Sequence, residues 1–162
     1  INKPGVVLVN TTWTADVTWY EFAFDADFEE DVWDEIYWMI LNDEIGTSDE
    51  EMYEAMVWLI TNNLEYYAFT TGNVTTEYVS AGVVGSGFIV TPDGYMVTNA
   101  HVVETDEDEM YMAFAWSALE DTATQATNAF MADMRRLGYQ MSDYEWEMMA
   151  NAWLSLCSDH GC

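Results

Sequence analysis

The chain has 162 residues, 51% apolar and 15% aromatic, which suits one domain, at most one and a half, with a sizeable core and excludes the disordered class. Thirty Asp and Glu stand against three basic residues, Lys3, Arg135 and Arg136, for a formal net charge of −27. That balance disfavours nucleic acid and anionic lipid surfaces as partners and favours cationic proteins, metal cations or high salt.

Lys3-Pro4 disfavours helix at the start, and the apolar run in 5–13 (GVVLVNTTW) predicts a buried strand. Residues 17–24 (VTWYEFAF) are β-rich and alternate imperfectly, which predicts a second strand or hairpin arm. From Glu29 the period becomes helical through Val32, Trp33, Ile36, Tyr37, Ile40 and Leu41, ending near Gly46. Ser48-Asp-Glu-Glu51 reads as a capping box that opens a second helix with Met52, Ala55, Met56, Leu59 and Asn63 on its inner face. Residues 29–66 are thus expected to be a helical hairpin with acidic outer faces. Gly72-Asn73 ends that pattern, and a strand pair follows: Gly82, Gly85 and Gly87 precede Phe88-Ile-Val90, Pro92-Asp-Gly94 supplies a turn, and Tyr95 to Val103 returns. Residues 110–116 (MYMAFAW) fit strand or helix. Residues 122–137 predict a helix with Ala126, Phe130, Met134 and Leu137 inward and Gly138 as its stop. A second capping box, Ser142-Asp-Tyr-Glu145, opens a last helix with Trp146, Met149, Ala150, Trp153 and Leu154 inward.

Several local patterns have a plain structural reading. Cys157 and Cys162 could close a small disulfide loop or stand as two thiols on a frayed end, and with His160 they make a three-ligand zinc signal that lacks a fourth member. Asp25-Ala-Asp27-Phe-Glu29 and the run Glu104 to Glu109 offer clustered oxygens but lack the glycine and glutamate spacing of an EF-hand loop, so a solvated face is expected. Two glycosylation sequons, at Asn10 and Asn73, decide little. No cofactor and no metal site are expected.

The stretch GSGFIVTPDGYMVTNAHVV, Gly85 to Val103, carries the sharpest signal. Its order, Gly85-Ser86-Gly87-Phe88-Ile89, then Asp93-Gly94, then Thr98-Asn99-Ala100-His101-Val102-Val103, resembles the active-site-histidine region of trypsin-like serine proteases, most closely the HtrA (DegP-type) branch. The opening Lys3-Pro4-Gly5-Val6-Val7-Leu8-Val9 is similar to that family's first barrel strand. The resemblance implies an antiparallel barrel and a His–Asp–Ser triad in which His101 is the general base, held at a sheet's rim. A lone histidine more often closes a strand and bonds to backbone; the surrounding string favours the catalytic reading. The triad's other members do not follow. Ser117, Ser142, Ser155 and Ser158 have no flanking glycine, and no aspartate after His101 precedes a short apolar strand.

The expected fold class is therefore α+β: a partial trypsin-like antiparallel β-barrel with two large acidic helical insertions. The segments would be barrel strands (1–28), a helical hairpin (29–70), the strand pair bearing the histidine motif (71–118) and a helical hairpin with its tail (119–162). Ile1 in place of Met suggests a chain processed or excised from something longer. Two functions compete. One is the N-terminal portion of an exported, HtrA-like serine endopeptidase with His101 as base, inactive because nucleophile and acid are absent. The other is a non-catalytic secreted acidic binding or assembly protein on a protease-like scaffold. Either implies an extracytoplasmic protein that meets a polypeptide substrate or protein partner, with cationic surfaces favoured, no nucleic acid, no membrane span, and a possible homo-oligomer through exposed strand edges.

Overall fold

Residues 5–159 are described by the structure, a computed structural model. In chain order the elements are β1 (Val6–Phe24), α1 (Phe28–Leu41), α2 (Asp49–Asn62), α3 (Leu64–Tyr67), β2 (Ala68–Ile89), β3 (Met96–Thr98), α4 (Ala100–Val103), α5 (Glu107–Arg136) and α6 (Asp143–Asp159). The fold is α+β. Its three strands form one sheet in the order β1-β2-β3. β2 pairs antiparallel with β3, with Gly87 opposite Thr98 and Ile89 opposite Met96. The Ile89 amide donates to Gly5 O at 3.2 Å while Thr75 Oγ1 donates to Glu21 at 2.6 Å. Rising numbers on β1 thus meet falling numbers on β2, and that pair is antiparallel as well. Among the described residues the sheet is open and no closed barrel is present.

Two compact units divide the chain. One groups Thr76–Ala118 with the chain up to Val17; the other groups Thr18–Thr75 with the chain from Leu119.

The second unit holds the larger core. Val32 and Ile36 of α1, Met56, Leu59 and Ile60 of α2, Met134 of α5, and Met149, Trp153 and Leu156 of α6 are buried together. Rings extend this core: Phe24 stacks on Phe28 with centroids 4.2 Å apart, and Phe22 and Phe24 meet Trp153 edge-on. The Trp153 indole Nε1 is buried with no hydrogen-bond partner among the described residues.

Both capping boxes form. Ser48 Oγ accepts from the Glu51 amide at 3.3 Å and donates to its carboxylate at 2.6 Å. At α6 the pairing is fully reciprocal: the Glu145 amide donates to Ser142 Oγ at 3.3 Å, and the Ser142 amide donates to Glu145 Oε2 at 2.7 Å. Acidic residues also fill the first turns of α1, α2, α5 and α6, where they meet the positive end of the helix dipole. Arg135 and Arg136 occupy the last turn of α5, and Arg136 pairs with Asp133. Gly138, at φ +94°, stops that helix; its amide donates to Arg135 O and that of Tyr139 donates to Met134 O.

The sequence reading is corrected at several points. The two strands expected in 5–13 and 17–24 are one strand, β1, because no glycine or proline interrupts residues 6–24. The returning strand ends at Thr98 rather than Val103. Residues 110–116 belong to α5, which begins at Glu107: the Asp108 and Glu109 amides donate to Asp106 Oδ1 at 3.0 and 3.2 Å, so part of the acidic run 104–109 is a helix cap. Asn63 is not inward; its side chain donates to Leu59 O at 2.8 Å and closes α2. The buried line of α5 in this unit runs through Ala123, Thr127 and Met134, with Thr127 Oγ1 donating to Ala123 O, and Leu137 is exposed. Cys157 is no frayed thiol: it is buried in α6. Its possible partners Cys162 and His160 lie outside the described residues, as do Lys3 and Pro4.

Glu145 is where cap and charge combine. Burial raises its carboxyl, but hydrogen bonds from Tyr139 Oη (2.6 Å) and Ser142 outweigh that and hold it below the usual carboxylate range. The same contact, together with burial, pushes the Tyr139 phenol up. A carboxylate with a lowered folded pKa stabilises above its unfolded pKa, and that stability is lost as pH falls through the folded value. Replacing Glu145→Gln should therefore cost about 1 kcal/mol at pH 7, with the difference from the unmodified chain shrinking as pH falls below the unfolded glutamate value of about 4.3. Urea unfolding of both chains across pH checks this.

Candidate functional site

Two places deserve the name of site: the turn that bears His101, in the first unit, and an acidic, aromatic groove in the second.

Around His101 the hairpin geometry follows from its residues. Val90 N–H donates to Tyr95 O at 2.8 Å, Gly94 N–H donates to Thr91 O at 3.2 Å, and Thr91 Oγ1 accepts from the Tyr95 amide at 3.0 Å. Gly94 takes φ +97°, which its missing Cβ permits. β3 then pairs for three residues, Thr98 Oγ1 donating to Ser86 O, before the chain turns into α4. In α4, Val102 is fully buried while His101 is exposed.

The glycines of Gly85-Ser86-Gly87 explain that arrangement. A Cβ on Gly85 would overlap Val102 Cγ2, and one on Gly87 would stand 2.8 Å from Met96 Sδ and 3.1 Å from Val9 Cγ2. The glycine spacing clears room for apolar side chains of β1, β3 and α4. Val102 seats the α4 turn on β2, and the neighbouring His101 is presented outward.

Among the described residues the imidazole has no hydrogen-bonded partner. The sequence reading expected His101 at the end of a strand; it lies instead on a four-residue helical turn. Its ring makes no hydrogen bond to any described residue, so neither carboxylate nor hydroxyl stands in register with it. Ser117 lies within α5, Ser142 caps α6, and Ser155 and Ser158 lie within α6, with Ser158 Oγ donating to Ser155 O. No group of three or more His, Cys, Asp or Glu side chains able to hold a metal occurs among the described residues.

The groove was not legible in the sequence, because it is made by segments far apart in it. It is a pocket of about 770 Å³ lined from α1, the α1–α2 connection, α2, the 139–142 connection and α6. Met39, Ile45, Ala55 and Met148 contribute apolar surface. Tyr53 and Tyr139 stand with ring centroids 5.8 Å apart beside it, and Trp58 and Tyr144 remain more than half exposed. Five carboxylates line it: Glu44, Glu50, Glu51, Glu54 and Glu145. Glu51 and Glu145 are engaged in the capping boxes, and hydrogen bonding from Ser48 holds Glu51 below the usual range. Glu44, Glu50 and Glu54 remain to face a ligand. Carboxylates beside open aromatic faces form a chemistry suited to an ammonium or guanidinium group. The capping-box pattern signalled two of these acids, but as helix starts.

No family model, no curated protein and no solved structure matches this chain.

Gly85→Ala should destabilise by about 1–3 kcal/mol through overpacking. Adding Val102→Ala should recover part of that loss, so the double variant costs less than the two single changes together, with a coupling of at least about 0.5 kcal/mol. A denaturation double-mutant cycle gives the answer; strict additivity would contradict the contact.

Proposed function

We propose that this chain is a non-catalytic, extracytoplasmic acidic binding protein that takes cationic segments of other polypeptides in the groove of its helical unit. The observation that supports this reading is the placement of Glu44, Glu50 and Glu54 beside the exposed rings of Trp58 and Tyr144, over an apolar floor. A lysine or arginine side chain entering there would meet carboxylates for its charge and aromatic faces for its stem. The net charge of −27 adds a long-range attraction that would steer basic partners and weaken with salt. An exposed His101 whose ring is hydrogen-bonded to no described residue is consistent with a scaffold use of the hairpin. Among the described residues no helix is long and apolar enough to cross a membrane.

A second reading is supported by the string from Gly85 to Val103 and by the hairpin that carries it. In that reading the chain is the N-terminal portion of an exported trypsin-like, HtrA-like serine endopeptidase. Its three strands are part of a trypsin-like barrel with acidic helical insertions, and His101 is the base for a serine and an aspartate outside this polypeptide. The chain by itself would then be inactive. Both readings lead to the same expectation for a serine-directed phosphonate, which should label no serine; labelling would overturn the inactivity they share.

Binding separates them. Titrating hexa-arginine while following tryptophan fluorescence should give saturable one-site binding at about 20 mM salt that weakens as salt rises. Glu50→Gln and Glu54→Gln should each weaken it several-fold, while Glu65→Gln, which removes the same charge outside the groove, should change it little. Equal losses from all three variants, or no saturation, would remove the groove from the account.

A further inference from the structure

The thirty acidic residues are unevenly placed. Residues 5–24 and 68–103, which hold the whole sheet, contain four of them, Asp16, Glu21, Glu77 and Asp93, and no Lys or Arg. All the other carboxylates belong to the helices and their connections. Two copies of a chain with net charge −27 repel each other nearly everywhere. They can approach most closely where the charge is missing, and that place is also where hydrogen-bonding groups are left over.

β1 is an edge strand. Gly5 O, turned toward β2, accepts from Ile89, so by strand alternation residues 7, 9, 11 and 13 also face β2 with their backbone groups. Those of Val6, Leu8, Asn10, Thr12, Thr14 and Asp16 then point away from the sheet. None of the backbone hydrogen bonds outside the strand ladders reaches Val6 to Asp16 among the described residues. The devices that usually blunt an edge are missing: this stretch has no proline, no lysine, and one charge, Asp16.

The strand is also complementary to itself. Placed antiparallel to a second copy about a twofold axis at Thr12, it sets Thr12 against Thr12, Asn10 against Thr14 and Leu8 against Asp16. On the half-covered face, Val7 meets Val17, Val9 meets Ala15, and Thr11 meets Trp13. No charge lies opposite a like charge. The two copies of Asp16 fall eight residues apart along the strand, about 27 Å at ~3.4 Å per residue, beyond the screening length of about 8 Å at physiological salt.

We propose that this chain forms a symmetric dimer by antiparallel pairing of β1 with β1 of a second copy, centred on Thr12, joining two three-stranded sheets into one of six strands. The occupant of the edge is the same chain, because the symmetric register sets no charge opposite a like charge, pairs Val7 with Val17 and Asn10 with Thr14, and places β-branched Thr11 against aromatic Trp13. The pairing strengthens with salt, since the acidic helices oppose it and the edge itself contributes little charge. It is independent of the groove and of any activity.

Sedimentation equilibrium of the full chain at about 100 µM in about 0.3 M NaCl should give twice the 18.5 kDa chain mass, with association at least about tenfold weaker at about 20 mM salt. Thr12→Pro removes one outward amide donor and leaves the β2 ladder intact. It should return the mass to that of one chain with an unchanged far-ultraviolet circular dichroism spectrum. Independently, oxidised Thr12→Cys should crosslink two copies, the linked peptide identified by mass spectrometry, because hydrogen-bonded antiparallel partners lie about 5.5 Å apart between Cα atoms, within disulfide range. Asp16→Cys should not crosslink to itself. A single-chain mass at the higher salt would overturn the proposal. A dimer indifferent to Thr12→Pro would do so too, as would an Asp16→Cys crosslink formed as readily as that at position 12.

Discussion

Repulsion among carboxylates is the constraint under which this chain folds. With thirty acidic residues and three basic ones, ion pairing cannot neutralise the surface, and the chain uses other means. Acids stand in the first turns of the four long helices, where unpaired amides and the helix dipole favour negative charge. Two of the three bases close α5 at its opposite pole. Glu51 and Glu145 complete capping boxes, and Asp106 accepts from two amides at the start of α5. Most of what remains belongs to the helices and their connections, while Met, Leu, Ile and Trp fill the helical core.

The sheet answers the same constraint differently. It is nearly uncharged, and its hairpin is fitted by glycines rather than by salt bridges. Gly85 admits Val102 and Gly87 admits Met96 and Val9, so small residues on β2 receive large ones from three directions. This packing gives the glycines of the Gly-Ser-Gly…His-Val string a structural use: they and Val102 hold a turn, and His101 rides on it facing solvent. A general base needs a donor within hydrogen-bond reach and a partner to fix its tautomer; among the described residues His101 has neither. An edge strand with almost no charge and an acidic groove with open aromatic rings both face outward with chemistry to offer.

Much of the local structure was legible in the sequence where a residue acts through its immediate neighbours. Ser48 and Ser142 with a glutamate three residues on, Pro92-Asp-Gly94, and Gly138 marked element ends because capping and positive φ are short-range physics. Length and partnership were harder to read. β1 was expected as two strands, 5–13 and 17–24, with Thr14-Ala15-Asp16 between them, yet Thr14 and Asp16 sit at alternate exposed positions and Ala15 on the half-covered face of one continuous edge strand. The histidine's strand was expected to reach Val103, but Ala100 to Val103 form a helical turn that Val102 anchors on Gly85, a contact spanning 17 positions that no periodicity reveals. Residues 110–116 fit strand or helix by pattern, and the cap at Asp106 made them helix. The partial trypsin-like barrel implied by resemblance has no support in residues 5–159, whose three strands form an open sheet. The groove, drawn from α1, α2, α6 and their connections, left a trace along the chain only in Glu51 and Glu145, which read as helix starts.

The most direct test of the repulsion account is the urea midpoint of the chain as a function of sodium chloride. The account predicts a midpoint that rises steeply from about 10 mM to 0.2 M salt, as the screening length falls from about 30 Å to below 10 Å, and then flattens. A midpoint that is level or falling over that range would mean that the carboxylates are already compensated by the fold, and would contradict the claim on which the placement of helices, groove and edge has been argued.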